Sequence, residues 1–183
     1  MSESMENSTD VSDLALPVSN RDHSTGPADA PITLVEYGDY ECPDCLNAQP
    51  ILAELRRQIG DRLRIVFRHF PLSSVHHRAS AAAVAAEAAA AQGKFWEMHE
   101  SLLKHQNELA DTDLTHLALR LGLELYRFQR DSESDAYARR IRDDYEGGVQ
   151  SGVKGTPTFF INDRRYRGAK DVPSLLAAIN AAG

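Results

Sequence analysis

The 183-residue chain has only two cysteines. That excludes a fold stapled by several disulfides, the device of small secreted domains with thin cores. No apolar run approaches the ~20 residues of a membrane-spanning helix, so no helical anchor is predicted. Positive charge is in the minority. Lys and Arg number 20 against 27 Asp and Glu, a net charge of −7. An acidic chain repels phosphate backbones and anionic lipid, so neither nucleic acid nor a membrane is expected as its main partner. The first twenty residues hold four acidic side chains, no Lys or Arg, and no apolar stretch. They do not look like a secretory signal, and the expectation is a cytoplasmic protein. No period of roughly 20–50 residues repeats, which excludes a solenoid. What is present is ordinary, with 42% apolar and 26% charged residues. That composition and length suit one well-buried core, with room for an insertion.

The two cysteines lie close together in Glu36-Tyr37-Gly38-Asp39-Tyr40-Glu41-Cys42-Pro43-Asp44-Cys45. Ile32 to Tyr37 is rich in β-branched and aromatic residues and predicts a strand. Ala48, Leu52, Leu55 and Ile59 then recur at helical spacing, which predicts a helix from Cys42 to about Ile59, with Gly60 as its stop. Cys42 therefore falls at a helix N-terminus, where unpaired N–H groups and the dipole favour negative charge. A thiolate is such a charge, and it is the form that attacks disulfides. Cys45, one turn on, shares its side of the helix. The spacing offers one reactive sulfur and one that can close on it. A Cys-x-x-Cys pair in a reducing compartment is catalytic or metal-binding rather than a structural staple. Structural zinc wants four ligands, and the chain has no second cysteine pair.

Cys-Pro-x-Cys between a strand and a helix resembles the thioredoxin superfamily, and more narrowly its DsbA-type branch. Glu36, six positions before Cys42, matches that family's buried acid, and Pro50 matches its helix-kinking proline. Gly155-Thr156-Pro157-Thr158-Phe159-Phe160 matches the segment with a cis-proline facing the cysteines. The run from Pro71 to about Tyr145 matches the helical insertion that separates DsbA-type proteins from plain thioredoxins. The resemblance covers roughly residues 22–180. It implies an α/β fold: a thioredoxin-like mixed β-sheet flanked by helices, with an all-helical insertion at about 71–150. The polar, Ser- and acid-rich run at 1–20 reads by its composition as a disordered tail. It also implies a thiol–disulfide oxidoreductase acting on protein or low-molecular-weight thiols and disulfides. No bound cofactor or metal is expected, so an external reductase or oxidant must regenerate the pair.

In that reading Cys42 is the nucleophile and Cys45 the resolving thiol. Glu36 relays the proton, and Thr156 with Pro157 forms a docking platform. Pro43, Asp44 and Tyr40 join them at the substrate face. Each has a plainer alternative. Glu36 could sit at the wet end of its strand or pair with an arginine. Thr156–Pro157 could be an ordinary trans bond opening a strand. Tyr40 and Phe159 could be core rather than an apolar rim. His69, at a strand end, could approach the site or be structural, and His76-His77 has no metal-site spacing. Relatives often show His-Pro where this chain has His77-Arg78, so any role carried over there is doubtful. Two other classes stay open: a redox-regulated binding module, since similar domains occur attached to transporters, and a structural zinc domain. Asp44 stands where DsbA-type oxidants often have His. A second negative charge there costs the thiolate on the order of 1 kcal/mol and pushes the pair toward disulfide reduction.

Elsewhere a short edge strand is expected near Asp22-His23 and a second full strand at Arg62–Phe70. Strand, helix and strand in this order predict a right-handed parallel βαβ unit. Helices are expected at His76–Gln92, Lys94–Gln106, Leu114–Leu121, Leu125–Arg130 and Asp135–Val149. Gly147, Gly148 and Gly152 are expected to mark the return to the core. A strand at Pro157–Ile161, a hairpin partner at Arg164–Arg167 and a closing helix at Val172–Ala182 complete the prediction. The run Arg164, Arg165, Arg167 and Lys170 reads as a charged hairpin edge. Phe95 and Trp96 read as core of the insertion.

Overall fold

A computed structural model describes residues 13–183. Five strands form one sheet in the order β1-β3-β2-β4-β5. They are β1 (His23–Thr25), β2 (Ile32–Gly38), β3 (Leu63–His69), β4 (Thr158–Ile161) and β5 (Arg164–Arg165). Strands β2 and β3 are parallel, joined through α1 (Pro43–Ile59), and the other pairings are antiparallel. Helices α2 (Ala79–Ala90), α3 (Phe95–Lys104), α4 (Asp111–Arg120), α5 (Leu125–Ser132) and α6 (Asp135–Gln150) all lie between β3 and β4, and α7 (Val172–Ala182) closes the chain.

Alternation along the strands sorts the core into two sheet faces. Leu34, Leu63, Ile65, Phe159 and Ile161 pack with Leu52 and Leu55 of α1 and Leu175 and Ile179 of α7. On the other face Val35, Tyr37, Val66 and Phe160 pack with Phe70 and Leu14. A third cluster fills the helical insertion and reaches Tyr40, Cys42, Cys45 and Phe67. The dithiol therefore sits where the insertion meets the sheet domain. Strand β2 runs through the middle of the sheet, and its register sets Glu36 opposite Phe67 on one side and Phe159 on the other.

Several boundaries shift for identifiable reasons. The tail expected at 1–20 is ordered from residue 13, its first twelve positions lying outside the described residues. Asp13 bridges to Arg164, Leu14 is buried, and the carbonyls of Leu16 and Pro17 accept hydrogen bonds from Arg68. Arg68 is itself buried against Asp22 at 2.8 Å. Helix α2 begins at Ala79 rather than His76, because the His76 ring is drawn to Asp39 at 2.9 Å. Helix α4 starts early, at Asp111, where the Asp113 carboxylate takes the Ala110 N–H at 3.0 Å. Gly147 and Gly148 do not end a helix. They lie inside α6, where a Cβ on Gly148 would stand 2.7 Å from the Phe70 ring. They are the small faces by which α6 approaches the sheet. Helix α1 continues through Pro50, and Gly60 ends it at φ +62°, a conformation glycine adopts freely.

Candidate active site

Strand β2 ends at Gly38, and four residues later Cys42 caps α1 with extended backbone angles, φ −77° and ψ 118°. Pro43 occupies the first turn, where its missing N–H costs nothing. Among the described residues no side chain caps this helix end, so its first N–H groups are left to the sulfur. Cys42 is 7% exposed and Cys45 fully buried, and both are free thiols. Pro43 and Asp44 are exposed beside them. From the far end of the chain, the Thr156 carbonyl oxygen comes to 3.2 Å from Cys42 Sγ. The Thr156–Pro157 peptide bond is cis.

The two sulfurs are electrostatically unequal. A hydrogen bond from the Cys45 thiol is the main cause holding the Cys42 thiol down, at about 5, with the backbone N–H groups of Cys45 and Asp44 adding to it against partial burial. The same bond, then burial and the nearby Glu36, push Cys45 far above the ordinary thiol range. The pair thus holds its charge on the outer sulfur and its proton on the inner one.

Glu36 is 1% exposed, and its Oε1 has no hydrogen-bond partner among the described residues. Burial raises it from 4.5 to about 8. The neighbouring Gln49 side chain opposes the rise, and the charge on Cys42 adds to it. A carboxyl tuned near neutrality and adjoining a buried thiol has the properties of a proton acceptor. The plainer alternatives for Glu36, a wet strand end or an arginine partner, are not what the structure contains.

Tyr40 does not form a rim. It is 1% exposed, with its hydroxyl 3.1 Å from His99 Nδ1, and Phe159 is equally buried. The loop between Gly38 and Cys42 turns inward, which carries Tyr40 beneath the insertion. What turns it is Asp39, a residue the sequence does not single out. Its carboxylate accepts the N–H groups of Glu41 and Leu72, each at 2.7 Å, and pairs with His76 Nδ1. Its own N–H points at Cys45 Sγ, 3.4 Å away. Burial disfavours the charged form of His76, but the Asp39 contact and the Cys42 charge outweigh it, so His76 is raised. Gln106, after α3, donates to the Cys42 carbonyl at 2.8 Å and ties the insertion to the dithiol helix. Neither residue carries a spacing signal, because their partners come from distant stretches of chain.

His69 is structural. With His23 it meets Glu87 Oε1 at 2.8 and 2.7 Å, and the Arg140 guanidinium completes the ion pair at 2.8 Å. Among the described residues, His23, His69 and Glu87 are the one group of three such side chains close enough to hold an ion. The group includes neither cysteine, and the Arg140 cation already balances Glu87. Glu87 sits in an alanine-dense helix, where nothing in the local pattern reveals what it faces.

Comparison with known proteins agrees with this geometry. A thioredoxin-like oxidoreductase from Silicibacter pomeroyi superposes with a TM-score of 0.81 at 27% identity, covering 90% of this chain and 93% of that one. BdbD from Bacillus subtilis, at 0.73 and 23% identity over 87% and 91% of the two chains, shares the fold. So does α-DsbA1 from Wolbachia pipientis, at 0.77 and 20% over 92% and 94%. In sequence the chain is 49% identical to a Na(+)/H(+) antiporter NhaA 1 from Salinispora arenicola and 45% identical to one from Mycobacterium sp. (strain KMS). Those matches take in 94% and 88% of this chain but 26% and 27% of the relatives, so it spans about a quarter of their length. The family described as thioredoxin matches residues 19–181, and the chain belongs to that family, with the mixed sheet and helical insertion of its DsbA-type members.

Proposed function

We propose that the chain is a thiol–disulfide oxidoreductase that exchanges the Cys42–Cys45 dithiol with disulfides of proteins or small molecules. The Cys42 thiolate attacks a substrate disulfide, whose S–S bond breaks. One substrate sulfur leaves as a thiolate and takes a proton from water, and the other stays bound to Cys42. Cys45 then gives its proton to Glu36 and attacks Cys42 Sγ. The mixed disulfide breaks, the second substrate sulfur departs and is protonated, and a Cys42–Cys45 disulfide remains. Two electrons have passed to the substrate. An external reductase must return them; with an oxidant in its place the cycle runs backward.

The observation that carries this reading is the opposed tuning of the two sulfurs, low on the helix end and high beneath it. Thr156 supports a docking role. Its main-chain oxygen touches the attacking sulfur. An extended substrate segment would lie along Thr156 and Pro157, with the exposed Pro43 and Asp44 at its other side. The Asp44 carboxylate favours disulfide reduction, and with it a reducing, cytoplasmic setting. Insulin reduction by dithiol-recycled protein tests the activity. Turnover is expected in the parent and only background in Cys42→Ser. No turnover, with Cys42 titrating at the ordinary thiol value of about 8.5, would sink the enzyme reading. A stoichiometric metal on the reduced protein would point to a zinc domain.

The antiporter relatives support a second reading, a redox-responsive domain working beside a membrane transporter. It predicts that an antiporter carrying this segment changes its transport rate when the Cys42–Cys45 pair is oxidised, and that Cys42→Ser abolishes the change.

A further inference from the structure

A cavity of about 390 Å³ opens between α1 and α3. Its size lies within the range of small-molecule sites, roughly 300–1,000 Å³. Neither cysteine lines it. Most of its exposed wall is apolar, with Trp96 and Phe67 the aromatic surfaces, and the polar side chains of Thr25, Glu36, Gln49 and His99 also reach it. His99 is 2% exposed, and burial together with the charges of His69 and His23 lowers it to about 3, so it is neutral. Its Nε2 meets Gln49 Oε1 only at 3.4 Å. Glu36 Oε1, as noted, has no partner among the described residues, although it is buried. A buried polar atom left unpaired costs of order 1–3 kcal/mol, and a ligand that supplies the missing bond recovers it. The exposed Arg56 and Lys104 also line the cavity, with the Glu100 carboxylate 3.3 Å from Lys104, so the charges at its edge sum to a cation.

We propose that this cavity binds a small aromatic acid bearing a ring hydroxyl. The hydroxyl meets Glu36 Oε1, the ring lies against Trp96 and Phe67, and the carboxylate rests at Arg56 and Lys104. A hydroxyl donating to Glu36 stabilises the carboxylate form and weakens it as a base. Where Glu36 is already ionised, at a pH above its raised value, occupancy therefore slows proton removal from Cys45, so the ligand brakes the resolving step from the flank of the helix. This braking rests on the exchange reading; the binding does not.

Trp96 is the only tryptophan in the chain, so its fluorescence reports the site directly. The full chain is titrated with 3-(4-hydroxyphenyl)propionate, with excitation beyond the absorption of phenols. A saturable change with Kd below about 1 mM is expected. 3-Phenylpropionate, which lacks the hydroxyl, should bind about tenfold more weakly. Ala53→Phe fills the cavity from an exposed position on α1 and should weaken binding of the hydroxy acid at least about tenfold. Should Ala53→Phe not fold, Glu36→Leu, which removes the acceptor, replaces it: the two ligands should then bind alike. Linear signal to about 10 mM, unchanged affinity in folded Ala53→Phe, or a hydroxyl preference that survives Glu36→Leu overturns the site. The titration is repeated on Cys42→Ser, which has no exchange chemistry, so binding there is judged apart from the enzyme reading. Saturable binding with unchanged insulin turnover at a pH above the raised Glu36 value overturns the brake.

Discussion

Cys42 Sγ lies 3.2 Å from the main-chain oxygen of Thr156, although 114 positions separate them. The carbonyl favours the protonated sulfur, because a thiol can donate to it and a thiolate cannot. The Cys45 thiol, the Thr156 side chain and the helix N–H groups pull the other way, and they prevail. The sulfur is therefore held ionised against a carbonyl that disfavours the charge. A substrate disulfide arriving beside Thr156 removes that conflict, since the sulfur's charge moves onto the departing thiol.

Alkylation should follow this balance. Iodoacetamide modification of the reduced protein should show a pH midpoint near 5 and modify Cys42 alone, because Cys45 is buried and held protonated. Mass spectrometry at pH 6 should find one adduct, on Cys42. A midpoint in the ordinary thiol range would show that the helix end does not tune it.

Stability should depend on pH differently in the two redox forms. Glu36 is raised from 4.5 to about 8, so the folded protein holds a proton that the unfolded chain has lost, and stability falls through that window. Cys42 is lowered from 9.0 to about 5, so its contribution rises with pH over that interval. The slopes oppose one another between these values in the dithiol form. In the disulfide form the Cys42 contribution is gone while that of Glu36 remains, because burial, its main cause, persists; His99 and His76, also shifted, are common to both forms. Urea unfolding should show the disulfide form losing on the order of 1 kcal/mol per pH unit relative to the dithiol form. Glu36→Gln should flatten the disulfide form and slow exchange on the order of 10²-fold.

Asp44→His should make the pair more oxidising. Removing a charge worth on the order of 1 kcal/mol beside the thiolate corresponds to ~20 mV for a two-electron couple. Equilibration against glutathione measures it. An unchanged potential would remove the electrostatic argument for a reductant.

Gly148→Ala should destabilise the fold although alanine is the better helix former. The new Cβ would meet Phe70 at 2.7 and 2.8 Å and Tyr37 at 3.0 Å. Overpacking of this kind costs roughly 1–3 kcal/mol, readable as a lower urea midpoint with exchange activity largely retained.

The dithiol, its place between strand and helix, and the acid in β2 are legible in the chain because each depends on residues close in sequence. Local pattern also carries α7, at Val172–Ala182, and all five helices of the insertion. Less legible is whatever depends on which surfaces meet. Tyr40 reads as a rim residue because an aromatic beside a reactive cysteine suits one, yet Asp39 folds its loop inward. Gly147-Gly148 reads only as the return to the core domain, and the approach of Phe70 and Leu16 shows it to be a close contact inside α6. His69 gains its partner from an alanine-rich helix that shows no pattern for it.

The sequence by itself determined the chemistry available: two sulfurs one helical turn apart at a helix start, and one carboxyl set into an apolar strand. Periodicity and helix-end electrostatics act over a few residues, so the string contains them. Tertiary structure decided how that chemistry is tuned. The depth of Glu36, the proton on Cys45, the carbonyl at Cys42 and the cavity beside α1 all arise from desolvation and from contacts between distant segments. Those forces exist only once the insertion has closed over the sheet.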